Sequence, residues 1–116
     1  MKILFILNDA PYGSERAYNG LRLAGSASRQ EGAEVKLFLI GDAVSCAKKG
    51  QKVPSGYYNI ETMLGAVARQ GGAVGVCGSC LDARGIAEQD LVSGAHRSSM
   101  EELTSWTLEA EKVLTF

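Results

Sequence analysis

Proline and histidine are scarce in this chain of 116 residues, which holds two of the first and one of the second. Neither Pro11 nor Pro54 sits just before a later strand-like run, so the proline that faces the sulfurs of a thioredoxin-like dithiol has no counterpart. His96 is the sole histidine; a zinc site would need it together with Cys46, Cys77 and Cys80, and no second closely spaced ligand pair marks one. No charge of one sign is in excess: 12 basic and 13 acidic residues leave a net charge of -1. That balance gives no electrostatic pull toward nucleic acid or an anionic membrane. Long apolar runs are missing too, none approaching the ~18 residues of a membrane span. The N-terminal run Ile3–Leu7 is cut by Asn8 and Asp9 before it reaches the roughly 7–15 residues of a signal peptide core. A cytoplasmic location is therefore expected. Three cysteines, an odd number, argue against a disulfide framework and for reduced thiols. There is no internal repeat and no low-complexity stretch.

What is present alternates. Lys2–Leu7 reads as a buried strand, and Ser14 as the cap of a helix whose Ala17, Leu21, Ala24 and Ser28 recur at helical spacing until Gly32. Val35–Ile40 is a second strand, followed by a short helix, Ala43–Lys48, with Asp42 as its cap. Lys49–Tyr58, holding two glycines, a proline and two tyrosines, is a loop. Asn59 caps a helix over Ile60–Gln70, with Ile60, Met63, Leu64 and Val67 on one apolar stripe. A third strand, Ala73–Cys77, follows the Gly71-Gly72 break. A short strand is expected near Gly94–His96. Ser98-Ser-Met-Glu101 reads as a capping box for a helix from Ser99 to about Ala110, with Met100, Leu103, Thr107 and Ala110 inward. Lys112–Phe116 is a last strand. The pattern predicts a single domain over residues 1–116: an α/β fold, three-layer α/β/α with a mainly parallel sheet.

In such sheets function gathers at the carboxyl ends of the strands. Those ends here are Asn8-Asp9, Gly41-Asp42 and Cys77. Cys77-Gly-Ser-Cys80 carries the clearest chemistry, because a cysteine between a strand and a helical turn lies among free N–H groups that favour thiolate. Cys77 is the candidate nucleophile, with Arg84 as a cation beside it and Gly78 leaving an open approach. The same spacing suits reversible disulfide formation, and two buried structural thiols are the plain alternative. Gly75, inside a strand, reads as a point of close packing rather than part of a phosphate loop. The loop Asp9-Ala-Pro-Tyr-Gly-Ser14 is a candidate anion or ligand clamp, its Gly13 and Ser14 leading into a helix, and equally reads as a plain capped connection; Asn8 and Tyr12 are candidate binding residues beside it. Lys52, with Tyr57 and Tyr58, is a candidate flap over the thiolate, while Lys48, Lys49 and Lys52 also read simply as solvated charge. Trp106 and Phe116 are expected in the core or a subunit contact.

Ala10-Pro-Tyr-Gly-Ser-Glu15, Leu21-Arg-Leu-Ala24, Leu37-Phe-Leu39, Asp42-Ala-Val44 and Gly50-Gln-Lys52 resemble the DsrE/DsrF-like family, in its YchN-like branch. So do Tyr58-Asn-Ile60, Cys77–Cys80 with Asp82 and Arg84-Gly-Ile86, Trp106-Thr-Leu108 and Lys112-Val-Leu-Thr-Phe116. The resemblance spans nearly the whole chain. It implies a three-layer subunit in homotrimers or a homohexamer, with reactive cysteines near subunit contacts. It also implies sulfur relay, in which one cysteine accepts a persulfide and hands its outer sulfur to the next sulfur-carrier protein. In relay members that cysteine lies eight residues before the glycine of an Arg-Gly pair, a spacing that Cys77 and Gly85 match. Cys80 departs from the single-cysteine relay pattern; its expected part is to release the sulfur by forming a disulfide with Cys77. No metal or organic cofactor is expected. The alternatives are a homo-oligomeric binding or scaffold protein with structural cysteines, and a CxxC thiol-disulfide redox protein.

Overall fold

Alternating apolar residues in the first strand, β1 (Lys2–Leu7), face two separate cores. Phe5 and Leu7 point to one side of the sheet and Leu4 to the other, as the two-residue period of a strand requires. A computed structural model describes residues 1–116, and in it β1 lies inside a five-stranded parallel sheet. The other strands are β2 (Glu34–Leu39), β3 (Ala73–Cys77), β4 (Ala95–Ser98) and β5 (Lys112–Thr115). Their order is β4-β3-β2-β1-β5. The helices are α1 (Arg16–Ser28), α2 (Ile60–Arg69), α3 (Gly78–Ala83) and α4 (Met100–Glu109), with 3-10 segments at Gly41–Ala47 and Glu88–Asp90. The fold class is α/β, as the sequence pattern predicts.

The strand order explains the layers. Three crossovers step in one direction, from β1 to β4, and the fourth runs back across the sheet to set β5 against β1. Because parallel crossovers are right-handed, reversing the direction moves the connecting helix to the opposite face. Ala17, Leu21 and Ala24 of α1 and Ile60, Leu64 and Val67 of α2 thus join Phe5, Leu7, Leu37, Leu39, Val74 and Val76 in the larger core. Leu103 and Trp106 of α4 meet Leu4 and Phe38 in the smaller one. Gly75 makes room there: a Cβ on it would stand 3.1 Å from the Trp106 ring and 3.2 Å from Phe38. One helix covers the second face, and Met100, Leu108 and Val113 remain exposed.

Several local expectations are corrected. Asn59 does cap α2, its Oδ1 accepting from Thr62 N at 3.1 Å, but Asp42 caps nothing. It sits inside the 3-10 segment, whose N-cap is Ile40, and turns outward. Ser99, not Ser98, caps α4, accepting from Glu102 N at 3.3 Å. Ser98 belongs to β4 and donates to the Glu102 carboxylate. Leu103 faces inward as expected, joined by Trp106, while Met100 and Thr107 are exposed and Ala110 is half-buried, so the inner face is centred between Leu103 and Trp106. Glu15 is the N-cap of α1 by backbone position, while the Ser14 hydroxyl one residue earlier donates to Asp9 at 2.6 Å and accepts from Arg16 N, the first N–H of the helix, at 3.3 Å.

Candidate functional site

β3 runs out at Cys77, which is the N-cap of α3. Its side chain belongs to the face of the sheet that α4 covers only in part, and it lines a cleft of about 380 Å³. Phe38 and Met100 give the cleft apolar wall, and Gly78, Ser79, Arg97, Ser98 and Ser99 its polar wall. The sulfur is half-buried and stands 3.4 Å from the Ser79 hydroxyl. Partial burial pushes the thiol up, yet hydrogen bonding from Cys80 and Ser79, side chains and backbone N–H groups alike, outweighs it and leaves Cys77 below the ordinary thiol value. α3 has only six residues, so its macrodipole is slight; the close donors favour the thiolate.

Cys80 is held differently. Gly41 N–H donates to its sulfur at 3.2 Å, which ties it to the segment following β2. Burial and the neighbouring Cys77 push its thiol up, against the smaller opposing pull of Gly41 and Arg84, so it holds its proton to higher pH than Cys77 does. Arg84 was expected beside Cys77. It lies instead on the Cys80 side, where Nη2 pairs with Asp42 at 2.7 Å and Nη1 donates to the Cys80 carbonyl at 3.0 Å. The cation on the Cys77 cleft is Arg97, at the end of β4, clamped by both carboxylate oxygens of Asp82 at 2.8 and 2.9 Å. Gly78 admits it: a Cβ there would lie 2.9 Å from the guanidinium carbon. The space that Gly78 leaves is thus filled by Arg97 rather than open.

The remaining residues of the rim form a second cluster with other partners. Asn8 binds the Phe116 carbonyl through its backbone N at 2.9 Å and its side-chain amide at 3.2 Å, sealing the β1–β5 end where the strand order reverses. Tyr12 accepts from Ile60 N at 3.1 Å and donates to Gln51 at 3.3 Å, so it satisfies a free donor of α2. Gly13 and Ser14 lie beside it, Ser14 engaged with Asp9. Tyr58 stacks on Tyr18 with ring centroids 4.0 Å apart, Lys52 and Tyr57 are exposed, and none of the three walls the Cys77 cleft. Of the expected flap, Tyr58 packs on α1 and Lys52 and Tyr57 face outward. Cys46 is in the core with its thiol directed at the Asp9 carbonyl, and His96 is paired with Glu102, so these two do not meet Cys77 and Cys80 around a metal.

Sequence reasoning missed Arg97, Phe38 and the Ser98–Met100 wall. Gly78 carried a signal of close approach, but nothing in residue spacing names the side chain that approaches.

A sequence model of the DsrE/DsrF-like family matches residues 1–116. The protein YchN of Escherichia coli K12 is 45% identical over 116 residues, covering 99% of this chain and 98% of YchN. The uncharacterized protein MJ0989 of Methanocaldococcus jannaschii is 43% identical, with both chains covered in full. Among solved structures, that of the E. coli ychN protein superposes with a TM-score of 0.94 at 44% identity, covering 100% of this chain and 99% of that one. The protein of unknown function MTH1491 from Methanobacterium thermoautotrophicum gives a TM-score of 0.77 at 13% identity, covering 99% and 98%, and so shares the fold.

Proposed function

This chain belongs to the DsrE/DsrF-like family, and from that premise we propose that it carries sulfane sulfur as a persulfide on Cys77. The supporting observation is a half-buried thiol, favoured as thiolate by near donors, at the wall of an open cleft. The Cys77 thiolate attacks the outer sulfur of a donor persulfide; the donor S–S bond breaks, the donor leaves as a thiolate, and Cys77 holds the outer sulfur. An acceptor thiolate on another sulfur-carrier protein then attacks that same sulfur and returns Cys77 to its starting state. Thiolate fraction and access govern both rates. Both steps are exchanges between sulfur atoms, and the scheme calls on no metal or organic cofactor.

Self-association as a trimer or hexamer is part of the same proposal. The thin cover of the α4 face, with Met100 59%, Leu108 82% and Val113 42% exposed, supports it. Sedimentation velocity reads the subunit count directly. No helix is long and apolar enough to cross a membrane, which fits a proposed place in the cytoplasm.

Peptide mass spectrometry after exposure to a low-molecular-weight persulfide tests the carrier role: the Cys77 peptide gains about 32 Da, one sulfur atom. A Cys77→Ser chain that loads as well as the parent moves the role elsewhere. A chain in which Cys77 resists iodoacetamide in the native state supports the scaffold reading instead.

A further inference from the structure

We propose that Cys80 resolves the persulfide on Cys77, so that without an acceptor the loaded chain releases sulfide and closes a Cys77–Cys80 disulfide. The inference rests on the persulfide reading of Cys77 and assigns that site a second outcome, persulfide reduction.

A passive carrier needs one sulfur. Here a second sulfur lies at the third residue of α3 when Cys77 is the N-cap, and an N-cap side chain reaches toward the residue in that position. A disulfide needs Cβ atoms roughly 3.5–4.5 Å apart, a spacing that the backbone sets, and the N-cap and third position of one helical turn are a pair whose side chains lie on the same end of the helix. The second sulfur is also anchored. Gly41 N–H holds Cys80 Sγ from one side, and Arg84, itself fixed by Asp42, holds the Cys80 carbonyl from another. Two ion pairs, Asp42–Arg84 and Asp82–Arg97, tie α3 to the segments on either side of it, so the pair of thiols keeps its mutual position.

The two protonation states suit the step. Before loading, Cys77 is the favoured thiolate and Cys80 the thiol, and part of what keeps the proton on Cys80 is the charge and hydrogen bonding of Cys77. Loading carries the negative charge from the Cys77 sulfur to the outer sulfur, one S–S bond of about 2.05 Å away. The influence of Cys77 on Cys80 weakens, while Gly41 N–H and Arg84, which favour a Cys80 anion, stay in place. Accepting sulfur thus readies the thiol that will discharge it.

The balance is Cys77–S–S⁻ plus Cys80–SH giving Cys77–S–S–Cys80 plus HS⁻. A bond forms between the Cys80 sulfur and the inner sulfur, and the bond from inner to outer sulfur breaks. The outer sulfur leaves with that electron pair and takes the Cys80 proton. The sulfane sulfur is reduced to sulfide as the two cysteine sulfurs are oxidised to a disulfide. A dithiol reductant, by two thiol–disulfide exchanges, restores both thiols and itself becomes a disulfide. Being intramolecular, the step competes with acceptor thiols present below roughly millimolar concentration.

The experiment treats the full chain with glutathione persulfide in the absence of reductant, then reads mass and free sulfide together. The parent protein is expected to release about one equivalent of sulfide and finish about 2 Da lighter, as a disulfide requires. Cys80→Ser, with Cys80→Ala as a second variant, is expected to retain about 32 Da on Cys77 and release none. A parent chain that keeps the added sulfur as the variants do, with no disulfide and no sulfide, overturns this step while leaving the carrier role intact. If neither parent nor variants gain sulfur and no sulfide appears, the carrier reading fails and this step with it.

Discussion

Cys46 and Cys77 lie at the same end of the same sheet, each just past or at the end of a strand, and share almost nothing else. Cys46 follows β2 into a 3-10 segment that folds down over the larger core, where its side chain has no accessible surface. Burial pushes its thiol up to about 12, with the Asp9 carboxylate adding to the shift against an opposing backbone hydrogen bond. Cys77 ends β3 on the face that a single helix covers, and close donors bring it below the ordinary value. The contrast teaches that placement at a strand's carboxyl end does not by itself make a thiol reactive. What covers the end decides it, and that depends on which way the next segment folds.

The largest expected effect is the gap in reactivity between these two sulfurs. With Cys46 near 12 and Cys77 below 9.0, their thiolate fractions at neutral pH differ by at least about a thousandfold, tenfold for each of three pKa units. Timed alkylation of the native protein with iodoacetamide, mapped by peptide mass, should label Cys77 long before Cys46. Comparable labelling of both while the fold is intact would break the comparison at its root.

The second effect concerns stability in alkali. Cys46 holds its proton in the folded chain to about pH 12, whereas an unfolded chain releases it near 9.0. A folded pKa above the unfolded one gives stabilisation that is complete below pH 9 and drains away as pH rises toward 12. Over the three units the loss reaches at most about 4 kcal/mol. Cys46→Ala, at a neutral-pH cost of about 1 kcal/mol from lost packing, removes that drain. Urea midpoints of the two proteins should therefore converge from pH 8 and cross at about pH 9.7, with the variant the more stable by about pH 10.5. Parallel curves would mean that Cys46 is not sealed.

Much of this contrast is legible in the sequence. The bounds of β1 and β3, the Asn59 cap and the exposure of a thiol at Cys77 follow from apolar runs and turn residues, which act over a few positions. The errors share a different cause. An acidic residue before a short helix often caps it, which is what Asp42 suggests, but its partner Arg84 lies 42 residues away and no local rule names it. Arg97 pairs with Asp82 across 15 residues, and only the strand order brings the end of β4 beside Cys77. The Tyr58 flap failed because Tyr18, on the facing helix, offers its ring a stacking partner. Ser98 and Ser99 are both good caps, and the pairing of Ser98 with Cys77 in the sheet leaves Ser99 to start the helix.

The smallest expected effect separates two origins of the Cys77 environment: the exposed ion pair and the close donors. In Gly78→Ala the new Cβ meets the guanidinium, the far end of a flexible exposed side chain, so the fold persists and the Arg97–Asp82 pair opens. Asp82, held below the usual carboxylate range by Arg97, should rise toward it, which carboxyl NMR titration reads. A carboxyl depressed in the folded state stabilises above its unfolded pKa and loses that contribution as pH falls through its folded value. The variant should accordingly show less acid-side dependence. Both groups are solvent-exposed and screened, so neutral stability changes little. Ser79→Ala instead removes a donor to the sulfur itself, and should shift the alkylation profile of Cys77 to higher pH by more than Gly78→Ala does. A larger shift in Gly78→Ala would assign the thiolate to Arg97, and the contrast with Cys46 would then be one of charge rather than of donors within reach.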